Sequence, residues 1–222
     1  MNDASSSLTS SSLTERIGTV GIVPVVVLDD ADRARDLALA LRDGGIGCAE
    51  FTLRTPAGLA AIAATSDVEG FLAGAGTVLT VDQADAAIDA GATFAVTPGY
   101  DPAVADRLRD GGVAVVPGVA TPTEVQRARA DGFADVKIFP AGHLGGAGYL
   151  DALHGPFPDL RFIPSGGVDT SSLADYLRRP WVLAASGSWM VPRDAIARGD
   201  FDTITAAAAA CARIRDDARS GR

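Results

Sequence analysis

Of the 19 lysine and arginine residues in the chain, only Lys137 is a lysine. The two cations are not interchangeable, because an amine can add to a ketone and lose water to form an imine, whereas a guanidinium cannot. Lys137 lies in Ala-Asp-Val-Lys-Ile-Phe-Pro, a run with the character of a strand. Side chains alternate along a strand, so Val136 and Ile138 share one face while Asp135, Lys137 and Phe139 share the other. With the apolar pair turned toward helices, Lys137 points inward. The competing reading is an amine near a strand end that snorkels to solvent or pairs with Asp135. An inward lysine has a chemical use: its iminium accepts the electrons released when a neighbouring carbon–carbon bond breaks. His143 and His154 stand apart, without ligand-spaced partners, so no metal site is expected.

Glu50, Thr52 and Arg54 form a second alternating set, with Ala49, Phe51 and Leu53 opposite. An interior Glu50 needs a partner, and Lys137 or Arg54 could supply it. The pair is either a structural ion pair or a proton shuttle, in which Glu50 serves as general acid and base beside the amine. Arg54 has the fork that suits a substrate carboxylate, and equally the character of a surface arginine. Two glycine-rich stretches with hydroxyls, Ser165-Gly166-Gly167 and Ser186-Gly187-Ser188, can present backbone N–H groups to a phosphate. Gly74-Ala-Gly76-Thr77 lacks a P-loop lysine and reads as a place of close backbone approach.

Eight strand-like runs are expected to position these groups: 22–28, 47–53, 71–77, 93–96, 113–116, 135–139, 161–163 and 182–185. Helical stretches separate them, at 32–43, 81–90, 102–110 and 122–130 among others. Asp30 or Asp32, Thr80 and Thr121 are candidate N-caps, and Pro122 stands at the favoured first helical position. Eight such units with right-handed crossovers predict an α/β fold, a compact closed (β/α)8 TIM barrel, and no GxGxxG turn favours an open sheet. Pro98, Pro117, Pro140 and Pro164 each precede a small residue and mark four equivalent strand ends. In a barrel those are the ends that hold the chemistry, and phosphate sites recur after strands seven and eight. A short helix over 14–18 is expected to cover the floor, and 201–218 to form the closing helix.

The Ser-rich stretch 1–13 reads as a disordered lead-in and 14–222 as a single domain. A net charge of −9 argues against nucleic acid or an anionic membrane as partner, and no apolar run is long enough to span a bilayer. The two cysteines, Cys48 and Cys211, have no ligand-like neighbours and suit a reduced, cytoplasmic protein.

In the order Glu50-Phe-Thr-Leu-Arg54-Thr, Gly74-Ala-Gly-Thr77-Val-Leu, Thr97-Pro98-Gly99, Pro117-Gly118, Val136-Lys137-Ile-Phe-Pro140-Ala, Ser165-Gly166-Gly167 and Gly187-Ser188-Trp189, the chain resembles the 2-keto-3-deoxy-6-phosphogluconate aldolase / 4-hydroxy-2-oxoglutarate aldolase family. The resemblance runs from about residue 15 to 210. It implies a class I aldolase of the Entner–Doudoroff pathway, a homotrimer with no cofactor beyond the lysine–substrate imine. It implies Lys137 as the Schiff-base lysine and Glu50 as the acid/base. Arg54, Thr77 and Pro98 would line the pyruvate end, and Ser165, Gly166, Gly167, Gly187 and Ser188 the phosphate end. The expected reaction cleaves 2-keto-3-deoxy-6-phosphogluconate to pyruvate and glyceraldehyde 3-phosphate. The alternatives are an aldolase for 4-hydroxy-2-oxoglutarate or the galactonate-derived epimer, a phosphate-binding barrel isomerase, or a non-catalytic sugar-phosphate binder.

Overall fold

The computed structural model describes residues 10–221. Strands and helices alternate through them, and every strand pairing is parallel. The strands are β1 (Ile22–Val26), β2 (Cys48–Thr52), β3 (Leu72–Gly76), β4 (Phe94–Val96), β5 (Ala114–Val116), β6 (Gly118–Val119), β7 (Asp135–Ile138), β8 (Arg161–Pro164) and β9 (Ala185–Gly187). The helices are α1 (Ser10–Val20), α2 (Ala34–Asp43), α3 (Ala57–Thr65), α4 (Val81–Asp89), α5 (Pro102–Asp110), α6 (Pro122–Ala130), α7 (Gly146–His154), α8 (Thr170–Leu177), α9 (Arg193–Arg198) and α10 (Phe201–Ser220). Among the described residues, no helix is long and apolar enough to cross a membrane.

The parallel strands form a curled sheet of six, in the order β5-β4-β3-β2-β1-β9, and a second sheet of three, β6-β7-β8, in place of the expected single continuous ring. Single parallel bridges, Phe162 to Val182 and Ser165 to Ser186, lie between β8 and the segment containing β9. Two further expectations are corrected. β5 does stop at Pro117, but the chain resumes at once as an additional strand, β6, beyond the eight expected, which changes partner, β5 pairing with β4 and β6 with β7. Having no N–H, Pro117 breaks the ladder, but its carbonyl still accepts from Lys137 N at 2.9 Å. The last strand is Ala185–Gly187, not 182–185, so Gly187 is a strand residue registered against Pro24.

The floor helix begins at Ser10 and not at Thr14, taking in the end of the stretch read as lead-in; the rest of that stretch, 1–9, lies outside the described residues. Leu13 and Ile17 of α1 pack with Val23, Cys48, Leu72, Phe94, Val116 and Ile163 in an inner cluster on the concave side of the strands. The opposite strand faces, including Ala49, Phe51, Val136 and Ile138, meet the helices in a separate and larger core. The period of two thus sorts β2 and β7 as their sequences imply, sending Cys48, Glu50 and Thr52, with Asp135 and Lys137, to the inner side.

The caps hold as read. Asp30 accepts from Asp32 N in a short turn before α2, and Thr80 accepts from Gln83 N. Thr121 and Glu124 form a reciprocal capping box with Pro122 at the start of α6. Each such cap contributes about 1 kcal/mol. Where β6 begins, Gly118 lies against the end of β4: a Cβ there would sit 2.4 Å from the Pro98 carbonyl carbon and 2.5 Å from Thr97 O. Backbone cannot yield as a flexible side chain can. Gly118→Ala is therefore expected to destabilise the fold by about 1–3 kcal/mol, read as a lower urea midpoint with an unchanged slope. A midpoint equal to that of the wild type would show that this contact is slack.

Candidate active site

β7 and β2 bring their inward residues face to face. Lys137 Nζ lies 3.9 Å from Glu50 Oε1, with both side chains almost wholly buried at 6% and 1% exposure. The contact is too long for a direct hydrogen bond and short enough for a strong charge interaction or for a proton to pass through one intervening hydroxyl. The bland alternative for Lys137 is not met: Asp135 is taken by Arg161, whose Nε and Nη2 donate to its two oxygens at 2.6 and 3.0 Å. Lys137 faces Phe139 instead, Nζ standing 5.1 Å from the ring centroid. Its own position is fixed by register, with Gly118 on one side and Ile163 on the other.

Glu50 is an uncommon carboxylate. Among the described residues neither oxygen has a hydrogen-bond partner, and the hydroxyl of Ser186, also buried, is likewise without one. Ser186 is close enough to ease the burial of the carboxyl but falls outside hydrogen-bonding geometry. Burial pushes the Glu50 carboxyl above the usual carboxylate range, while the charges of Lys137 and Arg54 pull the other way. A group in that condition can hold a proton and give it up within a small change of surroundings, as a general acid/base must. Gly76, registered beside Thr52, keeps the neighbouring space open: a Cβ there would come within 3.2 Å of Glu50 Oε2.

Arg54 lies beyond the end of β2 and is exposed; its Nε donates to Thr77 Oγ1 at 3.2 Å. Thr77 has φ +61°, the left-handed region that a β-branched residue seldom enters. Such strain costs on the order of 1–3 kcal/mol and gathers where side chains must be aimed. Pro98 is half-buried at the end of β4 and abuts Gly118, the register neighbour of Lys137.

The anion-binding candidates lie together at the same mouth. A cavity of about 220 Å³ is lined by Val25, Arg54, Phe139, Ser165 to Val168, Gly187 and Ser188. Gly166 and Gly167 have φ +80° and +76°, a turn that only glycine forms without strain. A second lobe of about 410 Å³ shares Val25, Arg54 and Ser188 with the first and extends past Val191 and Pro192 to Arg193. Gly187 borders the first lobe, but its missing side chain has another cause. A Cβ there would meet the Trp189 ring at 2.1 Å, so packing demands the glycine.

Of the residues expected at the site, Arg54, Ser165, Gly166, Gly167, Gly187 and Ser188 line these lobes, Thr77 is bonded to Arg54, and Lys137, beside Glu50, faces the Phe139 ring of the lining; Pro98 is not among the lining residues. Phe139 and Arg193 were not singled out as site residues. Phe139 carried a signal, sharing the alternating face of Lys137 two residues on, whereas Arg193 carried none. His154 is structural, stacked on Trp181 with centroids 4.4 Å apart.

The family model described as KDPG and KHG aldolase matches residues 13–207. A 2-dehydro-3-deoxy-phosphogluconate aldolase of Treponema pallidum is 47% identical over 193 residues, which cover 86% of this chain and 92% of that protein. The KHG/KDPG aldolase of Escherichia coli K12 is 39% identical, covering 86% and 91%. Among solved structures, the KDPG aldolase of Legionella pneumophila, with pyruvate captured as a covalent carbinolamine intermediate, superimposes with a TM-score of 0.83 at 35% identity, covering 88% of this chain and 97% of that one.

Proposed function

The chain belongs to the KDPG and KHG aldolase family, and on that footing we propose that it cleaves 2-keto-3-deoxy-6-phosphogluconate to pyruvate and glyceraldehyde 3-phosphate through a Schiff base on Lys137. What carries this reading is the buried amine 3.9 Å from a carboxyl that burial has made readily protonated.

In this mechanism Arg54 grips the substrate carboxylate beside Thr77 and Pro98, placing the C2 ketone over Lys137. The amine adds to C2, and protonated Glu50 helps the carbinolamine hydroxyl leave as water, giving the iminium. Glu50, now a carboxylate, takes the proton of the C4 hydroxyl. The C3–C4 bond breaks, its electrons flowing into the iminium to form an enamine, and the aldehyde departs. Glu50 then returns a proton to C3, and water releases pyruvate and restores the amine. Phe139 and the inner cluster keep the amine in apolar surroundings. Ser165, Gly166, Gly167 and Ser188, bordered by Gly187, receive the phosphate. No cofactor enters this scheme.

We read the described residues, α1 included, as one domain, with the two sheets joined in a closed (β/α)8 barrel. Only Pro117 separates β5 from β6, and the bridges at Phe162 and Ser165 span the other gap. We read the working form as a homotrimer in the cytoplasm. Leu79 and Val81, two exposed large apolar side chains close together, suit an interface between copies, and two buried free thiols suit a reducing compartment. The isomerase and binding-protein readings use the phosphate turns but leave the Lys137–Glu50 pair without a task.

The test is mass spectrometry after treatment with pyruvate and sodium borohydride. One reduced pyruvyl adduct, mapped to Lys137, is the expected result. A folded protein that gains no mass would overturn the Schiff-base mechanism and favour a phosphate-binding barrel of another kind.

A further inference from the structure

The turns read as the phosphate site offer only neutral donors. Ser165, Gly166, Gly167 and Ser188 carry no charge, and the chain as a whole carries −9. A phosphoryl dianion in that place gains from a cation. Two arginines line the two lobes of the mouth: Arg54, already bonded to Thr77, and Arg193. Arg193 starts α9, and its Nε donates to Asp29 Oδ2 at 2.8 Å while a second N–H bonds Oδ1. The pair therefore joins the loop after β1 to the segment after β9, across the rim of the larger lobe. Both partners are well exposed, 57% for Arg193 and 61% for Asp29. Asp29 and Arg193 also border a small cavity together with Asp30 and Arg33, which make a loose pair of their own at 3.6 Å.

An exposed ion pair contributes little to stability, so giving it up costs little. The guanidinium fork that grips a carboxylate fits phosphate oxygens equally well. Ser188, with Val25 and Arg54, is common to the two lobes, so a phosphate resting on it borders the lobe that Arg193 lines. We propose that Arg193 is a specificity-determining residue, exchanging Asp29 for the distal phosphate of the substrate. The identity of that substrate rests on the aldolase reading above, whereas the phosphate contact can be tested apart from turnover.

The experiment compares Arg193→Ala and Asp29→Asn with the wild type. Kinetics are measured on 2-keto-3-deoxy-6-phosphogluconate and on its unphosphorylated counterpart, and inorganic phosphate is titrated by calorimetry. Loss of one charge-assisted contact corresponds to about tenfold in affinity. Arg193→Ala is accordingly expected to raise KM for the phosphorylated substrate about tenfold with kcat little altered, to leave KM for the unphosphorylated one within about twofold, and to weaken phosphate binding by a similar factor. Asp29→Asn, which releases the guanidinium, is expected to lower KM for the phosphorylated substrate. Equal KM changes for the two substrates, unaltered phosphate affinity in Arg193→Ala, or no tightening in Asp29→Asn would each overturn the exchange. Should the wild type cleave neither substrate, the aldolase reading fails and the phosphate titration still decides the role of Arg193.

Discussion

Lys137→Arg is expected to fold and to lose cleavage by on the order of 10⁴–10⁶-fold, the scale seen when a covalent nucleophile is removed. The reasoning is geometric as well as chemical. The backbone of Lys137 is held by the Pro117 carbonyl and by register with Gly118 and Ile163, none of which depends on the side chain. A guanidinium preserves the positive charge facing Glu50, so the carboxyl keeps its counter-ion, but it cannot form the imine. Thermal melting should therefore report a folded protein, and borohydride with pyruvate should leave its mass unchanged. Turnover within tenfold of the wild type would remove Lys137 from the mechanism altogether.

Glu50→Gln is the second large effect, and it acts in two directions at once. Activity should fall about 10²–10⁴-fold, as for the loss of a general acid/base, because the amide can neither take the C4 hydroxyl proton nor return one to C3. Stability should rise relative to wild type at neutral pH. Burial holds the Glu50 carboxyl above the ordinary glutamate value. Below that ordinary value the group is protonated in both folded and unfolded chains and costs nothing in comparison with glutamine. As pH rises from the ordinary value toward the raised one, the unfolded chain releases its proton first, and the wild type loses ground. Above the raised value the difference is constant. Urea midpoints at pH 7 and at pH 4 should therefore show a gain for Glu50→Gln that shrinks or disappears in acid. A gain of equal size at both pH values would mean that the ionisation of Glu50 is not what destabilises the native state.

Much of this site is legible from alternation alone. The inward set of β2 and the inward set of β7 can be read because Ala49, Phe51, Val136 and Ile138 are apolar and must meet the helices, leaving Glu50 and Lys137 no other side. The caps at Thr80 and Thr121 are legible for a similarly local reason, since hydroxyl and N–H lie three residues apart. What local pattern does not reveal is how distant segments meet. Asp29 and Arg193 stand 164 residues apart, and nothing at either position announces the other. The 3.9 Å separation of Lys137 and Glu50 likewise depends on how the two sheets face each other, which no single strand encodes. Pro117 misleads in the opposite way. A proline followed by glycine looks like the start of a loop, and only the pairing shows that a further strand begins directly after it, with β7 in place of β4 as partner. The last strand starts three residues later than expected because Val182 makes a single bridge to Phe162, while regular pairing begins only opposite Ile22.

The near-complete burial of Lys137 also bears on the rest of the surface. Aldehydes condense with any accessible ε-amine, and so do the acylating and glycating agents that accumulate around central metabolism. In this chain the one ε-amine is almost wholly buried beside Glu50, and arginine supplies every other cationic side chain. The exterior therefore has no lysine on which a released aldehyde could form a stray imine, and none for an acetyl or ubiquitin group to modify. Amine-directed labels, cross-linkers and solid supports would find no lysine handle outside the reaction centre.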